Sequence, residues 1–189
     1  APNVGKSTLL NRLLEEKISI TSKKPQTTRN RILGVVHRKR SQMIFVDTPG
    51  IHRFRSQLNA RIVDAALAAI GDADLVLMMA DAWSPDPESE KILLETLSRQ
   101  KRPVILALNK IDRIEKPGLL SQISDWSRRF SFEAIVPISA KTGTQIEALL
   151  AALEDRLAGG PALFPEDAVT DAPMRFIAAE LVREKVFRY

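Results

Sequence analysis

"APNVGKST", residues 1–8, opens the chain and decides its fold. Ala1 to Ser7 fit the last seven positions of the phosphate-loop pattern G-x-x-x-x-G-K-[ST], whose leading glycine would fall just before Ala1. The chemistry accounts for the residue types. Gly5 lets the backbone curl so that its N–H groups face phosphate oxygens, Lys6 neutralises charge on the β- and γ-phosphates, and Ser7 offers a hydroxyl to Mg²⁺. The cradle is expected to run through Ala1, Pro2, Asn3, Val4, Gly5, Lys6, Ser7 and Thr8. A leucine-rich helix begins here and points its positive end at the anion. A Gly-Lys-Ser alone is often a chance turn, but seven matching residues opening such a helix are not.

Downstream, "VDTPG" (residues 46–50) follows an apolar strand that delivers Asp47 to its carboxyl end, where the carboxylate can reach Mg²⁺ through water and Gly50 can present its N–H to a γ-phosphate. "NKID" (109–112) and "SAK" (139–141) each follow another apolar run. The Asp112 carboxylate can accept from N1 and N2 of guanine, and the Ala140 N–H can donate to O6. With Asn109, Lys110, Ser139 and Lys141 these form a guanine-reading pair of loops, since unpaired buried polar groups penalise adenine. "KPQTTRNR" (24–31) should supply the threonine that completes Mg²⁺ coordination in the triphosphate state. Thr28 is the candidate and Thr27 the alternative. Ser7, Thr28 and Asp47 are thus the expected metal set; Lys6, Thr28, Gly50 and Asn3 are the expected catalytic set.

Between the motifs, strand-length apolar runs recur at 32–36, 43–46, 75–80, 104–108 and 134–138. Helical patterns separate the later ones. "PESEKILLETLSRQ" places Ile92, Leu93 and Leu97 on one face, and "IEALLAALEDRLA" repeats Ile146, Leu149, Leu150, Leu153 and Leu157. The alternation predicts an α/β phosphate-loop fold, a mostly parallel sheet with helices on both faces and ligands at the carboxyl ends of the strands. "HRKRSQ" (37–42) is too short for a crossover and predicts one antiparallel hairpin.

The 189 residues suit one domain and a short appendage. There is no cysteine, which excludes disulfide scaffolds, thiolate metal sites and cysteine nucleophiles and fits a reducing cytoplasm. The most apolar stretch, Leu75 to Ala80, is far short of the roughly 18 residues a membrane span needs. Charge is uneven: residues 1–61 hold 13 Lys+Arg against 3 Asp+Glu, and residues 62–189 hold 15 against 20. A basic front therefore joins a mildly acidic remainder, either as a phosphate site with solvated flanks or as a surface that meets a polyanion. Lys23, Lys24, Arg29, Arg31, Arg38, Lys39, Arg40, Arg53 and Arg55 carry much of it.

After the helix expected to end near Ala158, "GGPALFPEDAVTDAP" holds two glycines and three prolines and reads as a linker. "MRFIAAELVREKVFRY" then reads as a helix with Met174, Ile177, Ala178, Leu181 and Val182 on an apolar face and Arg183, Glu184 and Arg188 away from it. That stripe wants cover, and a lone helix of this length is marginal in water. Both ends of the chain read as cut from something longer.

With these five elements the sequence resembles the translation-factor-related GTPases and, within them, the Era family. "KISITSKKPQTTRNRILG", "VPISAKTG" and "FPEDAVTDAPMRFIAAELVREKVFR" carry the likeness. The resemblance implies a Mg²⁺-dependent GTPase of slow intrinsic rate, binding GTP and GDP. Residues 1–158 would be its GTPase domain without first strand or leading glycine, 159–173 a linker, and 174–189 the first helix of a truncated KH-type RNA-binding domain. It further implies a monomeric, cytoplasmic factor in small ribosomal subunit assembly that binds 16S rRNA through the KH domain and associates peripherally with the inner membrane. The GXXG loop of a KH domain is not among these residues. Competing readings are another bacterial ribosome-biogenesis or tRNA-modification GTPase, against which Gln26 and the tail after Pro165 argue, and a nucleotide-gated binding module with negligible hydrolysis. Ile51 stands where many GTPases carry a water-orienting glutamine. Asn3 either braces the phosphate loop or, as in several GTPases that this chain resembles, helps hold K⁺ against the phosphates.

Overall fold

The structure is a computed structural model that describes residues 3–19, 32–47 and 73–188. Ala1, Pro2, Thr27, Thr28, Gly50 and Ile51 lie outside these residues, as do the basic residues 23, 24, 29, 31, 53 and 55.

All five expected strands form: β1 (Ile32–His37), β2 (Gln42–Asp47), β3 (Val76–Asp81), β4 (Val104–Asn109) and β5 (Ala134–Pro137). The described strands hydrogen-bond as two sheets, an antiparallel pair β1–β2 and a parallel trio ordered β3-β4-β5. His37 pairs with Gln42, and the Arg38 N–H donates to the Ser41 carbonyl at 2.9 Å, so the short connection is the hairpin that its length demanded. In the parallel sheet, Asp81 lies beside Asn109, which brings two chemistry-bearing strand ends to one edge.

Among the described residues the α-helices are α1 (Lys6–Leu14), α2 (Pro87–Leu97), α3 (Lys116–Arg129), α4 (Ile146–Glu154) and α5 (Met174–Arg188). They cover both faces of the parallel sheet because β4 is apolar on both sides. Ile105 and Ala107 face a core built with α1 and α4, whereas Val104, Leu106 and Leu108 face a second core with Leu97 of α2 and Trp126 of α3. Ile105, Leu106 and Leu108 are wholly buried, each worth about 1.5–3 kcal/mol on transfer from water. α1 also lies close on the hairpin. A Cβ at Gly34 would come within 2.8 Å of Leu10 and Leu14, so only glycine admits the helix at that distance. α4 ends at Glu154 rather than near Ala158: the N–H groups of Arg156 and Leu157 bond to carbonyls three residues back as a tightened turn, and the Arg156 guanidinium swings out to Glu133 at 3.2 Å. Among the described residues no helix is long and apolar enough to cross a membrane.

The stretch read as a linker is strapped to the hairpin. The Val35 N–H donates to the Val169 carbonyl at 2.8 Å, and the Thr170 hydroxyl donates to the Leu33 carbonyl at 2.6 Å. The Gln42 carboxamide accepts from the N–H groups of Leu163 and Phe164 and donates back to the Phe164 carbonyl. Glycine and proline break regular structure, but they do not stop an extended segment from using a strand's free edge.

α5 corrects the expected face. Met174 and Val182, assigned to the covered stripe, are 81% and 64% exposed, while Glu180 and Glu184, which the pattern left outward or unplaced, are buried. The reason is electrostatic. Lys17, just beyond α1, meets Glu184 at 2.7 Å, and Arg183 holds Glu180 at 2.6 Å. Phe176 and Ile177 add the apolar part, packing against the α1 core.

Candidate nucleotide and metal site

Gly5 caps α1 with φ of 100°, a left-handed conformation that side chains rarely adopt. A Cβ there would overlap the Asn109 carboxamide, so glycine is required twice, by conformation and by contact. Asn109 stands at the carboxyl end of β4 and is 3% exposed. Its Nδ2 donates to the Val4 carbonyl at 2.7 Å, and its Oδ1 accepts the Ala140 N–H at 2.9 Å. One side chain thus ties the loop at residues 3–5 to both loops expected to read guanine.

At the head of α1 the Ser7 hydroxyl donates to Asp47 Oδ2 at 3.2 Å, bringing together two of the three expected metal ligands across 40 residues. Lys6 lies beside them. Burial pushes its ammonium pKa below the ordinary value, and the Asp47 carboxylate partly offsets that push. A half-buried lysine at a helix N-terminus, beside the Asp47 carboxylate, suits an anion of higher charge. Among the described residues no cluster of three or more His, Asp or Glu side chains could hold a metal alone. One carboxylate and one hydroxyl fit Mg²⁺, which keeps waters and takes phosphate oxygens instead of a protein cage.

The base-reading side is equally braced. The Ser139 hydroxyl, wholly buried, donates to Asp112 Oδ1 at 2.6 Å and accepts the Thr142 N–H at 3.2 Å, which fixes the exposed Asp112 carboxylate. Lys110 has φ of 70° and sends its ammonium to Asp81 Oδ2. Lys141 is exposed at the end of the same turn. The Ala140 N–H, expected to donate to a guanine O6, here serves Asn109, so Ala140 acts first as a brace between loops. Thr8 sits in the first turn of α1, and Asn3 is exposed with φ of 56°.

Two residues that the motifs do not name belong to this assembly. Asp81 receives Lys110 and also accepts the N–H groups of Trp83 and Ser84 at 3.0 and 3.1 Å, so it turns the chain at the end of β3 and anchors the lysine. Its place at the end of a buried strand, level with Asn109, is the signal that could have found it. Arg12 donates to the Ala140 and Lys141 carbonyls at 3.3 and 2.5 Å, joining α1 to the second loop. Nothing in its sequence surroundings marks it, because its partners lie 128 and 129 residues away.

Residues 1–110 match the protein family described as "50S ribosome-binding GTPase". The GTPase Era of Geobacter metallireducens is 51% identical over 187 residues, covering 99% of this chain and 63% of that protein. A crystal structure of Aquifex aeolicus Era bound to GDP and AlF4⁻ superposes with a TM-score of 0.91 at 42% identity, over 99% of this chain and 64% of that one. An Era structure in complex with MgGDPNP and nucleotides 1506–1542 of 16S ribosomal RNA superposes with a TM-score of 0.85 at 42% identity, over 97% of this chain and 63% of that one. The chain therefore spans less than two thirds of the length of these relatives.

Proposed function

This chain belongs to the 50S ribosome-binding GTPase family and is similar over nearly its whole length to Era GTPases, and on that premise we propose that it binds GTP and hydrolyses it to GDP and phosphate as a guanine-nucleotide switch. The observation that carries the reading is the pair of hydrogen bonds that Asn109 makes with the Val4 carbonyl and the Ala140 N–H, which ties the expected phosphate loop to the expected base-reading loops. Residues 1–8, Lys6 among them, hold the phosphates, and Asp112, oriented by Ser139, reads the guanine edge. Ser7 and Asp47 hold Mg²⁺, with Thr28 completing the set; bound there, the ion neutralises charge on the β- and γ-phosphates. Gly50 presents its N–H to the γ-phosphate. Lys110, anchored by Asp81, flanks the base, and Lys141 closes the second loop.

The test is Asp112→Asn, which turns one acceptor into a donor facing guanine. GTP affinity should fall by about a hundredfold, on the scale of a mismatched buried polar pair, and xanthosine triphosphate should be gained. Unchanged GTP binding in a titration overturns the assignment.

Ile51 cannot orient the attacking water, and the finer proposal is that transition-state charge is met another way: the Asn3 carboxamide oxygen helps hold K⁺ against the phosphates, leaving the water to the backbone or a partner. The exposed position of Asn3 on a left-handed turn of the loop supports this. Hydrolysis should then run faster in K⁺ than in Na⁺ at equal ionic strength, and Asn3→Ala should abolish the difference. Equal rates with the unaltered protein reject the cation.

The wider role follows the relatives. An Era protein has been crystallised on 16S rRNA, and we assign this chain to small ribosomal subunit assembly through that RNA. Residues 1–158 form the GTPase unit, 159–173 the connection, and 174–189 the first helix of a KH domain. A monomeric, cytoplasmic protein with peripheral inner-membrane association belongs to the same proposal. The hairpin is a second polyanion contact. Lys39 and Arg40 are exposed there, whereas Arg38 is held by Glu147 and Glu154 at 3.0 and 3.4 Å. Reversing Lys39 and Arg40 should therefore weaken subunit binding and flatten its salt dependence without loosening the fold.

A further inference from the structure

The Asp47 carboxylate has a second protein donor that no phosphate-loop motif contains. The Ser19 hydroxyl donates to the same Oδ2 atom as Ser7, at 3.3 Å, and Ser19 is 1% exposed. The backbone that presents it is gripped by one side chain. Asn11 Oδ1 accepts the N–H groups of Ile18 and Ser19 at 3.1 and 2.9 Å, and Asn11 Nδ2 donates to the Ser19 carbonyl at 2.8 Å. Asn11 and Ser7 are four residues apart on α1 and so share one face of that helix. A single helical face thus delivers Ser7 directly and Ser19 through Asn11 to either side of one carboxylate oxygen.

We infer that Ser19 is a positioning residue of the metal site: it acts through Asp47, fixing the rotation of that carboxylate so that it meets a divalent cation held by Ser7 and the nucleotide phosphates. At 3.2 and 3.3 Å both hydroxyl contacts are longer than the roughly 2.5–3.0 Å usual for an O–H···O bond, and both fall on one acceptor atom. They differ in what a cation does to them. Ser7 is itself an expected ligand and would give its oxygen to the ion, whereas Ser19 is not among the expected ligands, so its bond would serve orientation alone. Without it, the buried carboxylate must be ordered each time an ion binds, and affinity for the ion falls while affinity for the nucleotide itself does not.

This rests on the GTPase reading, and the experiment separates the two. Release of a fluorescent GDP analogue from the full-length protein that contains these residues is followed across a Mg²⁺ titration and in excess EDTA. In the unaltered protein Mg²⁺ should slow release; if it does not, the GTPase reading itself fails. Ser19→Ala should raise the Mg²⁺ concentration for half-maximal slowing by about tenfold, the value of one hydrogen bond to a charged acceptor. Release in EDTA should stay within about twofold of the unaltered protein, because the base and phosphate loops are untouched. A purely structural role for Ser19 would shift both conditions together. An unshifted Mg²⁺ curve, or equal weakening with and without Mg²⁺, overturns the inference. If Ser19→Ala lowers the melting temperature of the nucleotide-free chain by more than a few degrees, Ser19→Cys is read instead. It keeps a side chain of similar shape, with a larger atom and a weaker donor, and the same two outcomes decide.

Discussion

The carboxyl edge of the sheets and the tail that follows α4 are built from similar hydrogen bonds, yet one is written in local sequence and the other is not. At the edge, each part of the site has its own short signature: a glycine that must have positive φ, a helix that must start after it, an asparagine at the end of a buried strand. In the tail, the contacts that fasten it to the rest of the molecule are partnerships across more than a hundred residues. Gln42 with Phe164, Leu33 with Thr170 and Lys17 with Glu184 join residues whose neighbours give no hint of one another. The lesson is that a motif predicts position only when its geometry is set by its own backbone.

If the edge is one rigid unit, breaking its hub should cost more than any other single change. Asn109→Ala removes bonds to Val4 and Ala140 and leaves a buried carbonyl and N–H without them. At about 1–3 kcal/mol for each unsatisfied group, nucleotide affinity should fall by two or more orders of magnitude and the melting temperature should drop. Calorimetric titration and thermal unfolding check both. Retained affinity would mean that the three loops are positioned independently and that the edge is no more unified than the tail.

Lys6→Met sharpens the same contrast by separating function from stability. Burial lowers the folded-state pKa of Lys6 below its unfolded value, so its charge opposes folding below the folded pKa. The opposition fades as pH rises through that pKa toward the unfolded one. The nucleotide-free Met variant should therefore melt slightly higher than the unaltered protein near neutral pH, with the difference shrinking at alkaline pH. Its affinity for GTP should meanwhile fall by about a hundredfold, the scale of two charge-assisted hydrogen bonds. No such opposition between stability and binding is expected for any change in the tail.

The same contrast explains what was legible beforehand. The five strands follow from apolar runs, the hairpin from the shortness of its connection, and α4 with its buried Ile146, Leu149, Leu150 and Leu153 from helical spacing. So does the meeting of Ser7 with Asp47, because the motif fixes each at the end of an element. Asp81, Arg12 and Ser19 escaped notice because each acts on a residue that a motif does name, from a position set by tertiary packing. α3 escaped for a different reason. Its buried side is carried by Leu119, Ile123 and Trp126 at helical spacing, but Gly118 and a run of polar residues blur the pattern. α5 was misread in orientation: a hydrophobic stripe decides a helix's inner face only where no buried carboxylate finds a cation.

The smallest effects should come from the tail, and they show whether it is fastened to the GTPase unit or only laid on it. Glu184→Gln keeps the shape of a side chain that is 1% exposed but removes the charge that meets Lys17. Lys17 is itself nearly half exposed, so water already screens the pair and the cost should be about 1 kcal/mol, well under that of a fully buried pair. Amide exchange in α5 should quicken about fivefold on that scale, with exchange in β4 unchanged. Thr170→Val removes one hydroxyl bond to the Leu33 carbonyl, which is worth about 0.5–1.5 kcal/mol, and should quicken proteolysis between residues 159 and 173 without altering GDP affinity. The pair of variants matters more than either one. If Glu184→Gln loosens α5 and leaves the strap protected, while Thr170→Val does the reverse, the tail is held by two independent clasps. If each variant loosens both segments, strap and helix come away together, and the tail is as cooperative as the nucleotide edge despite lacking any local signature.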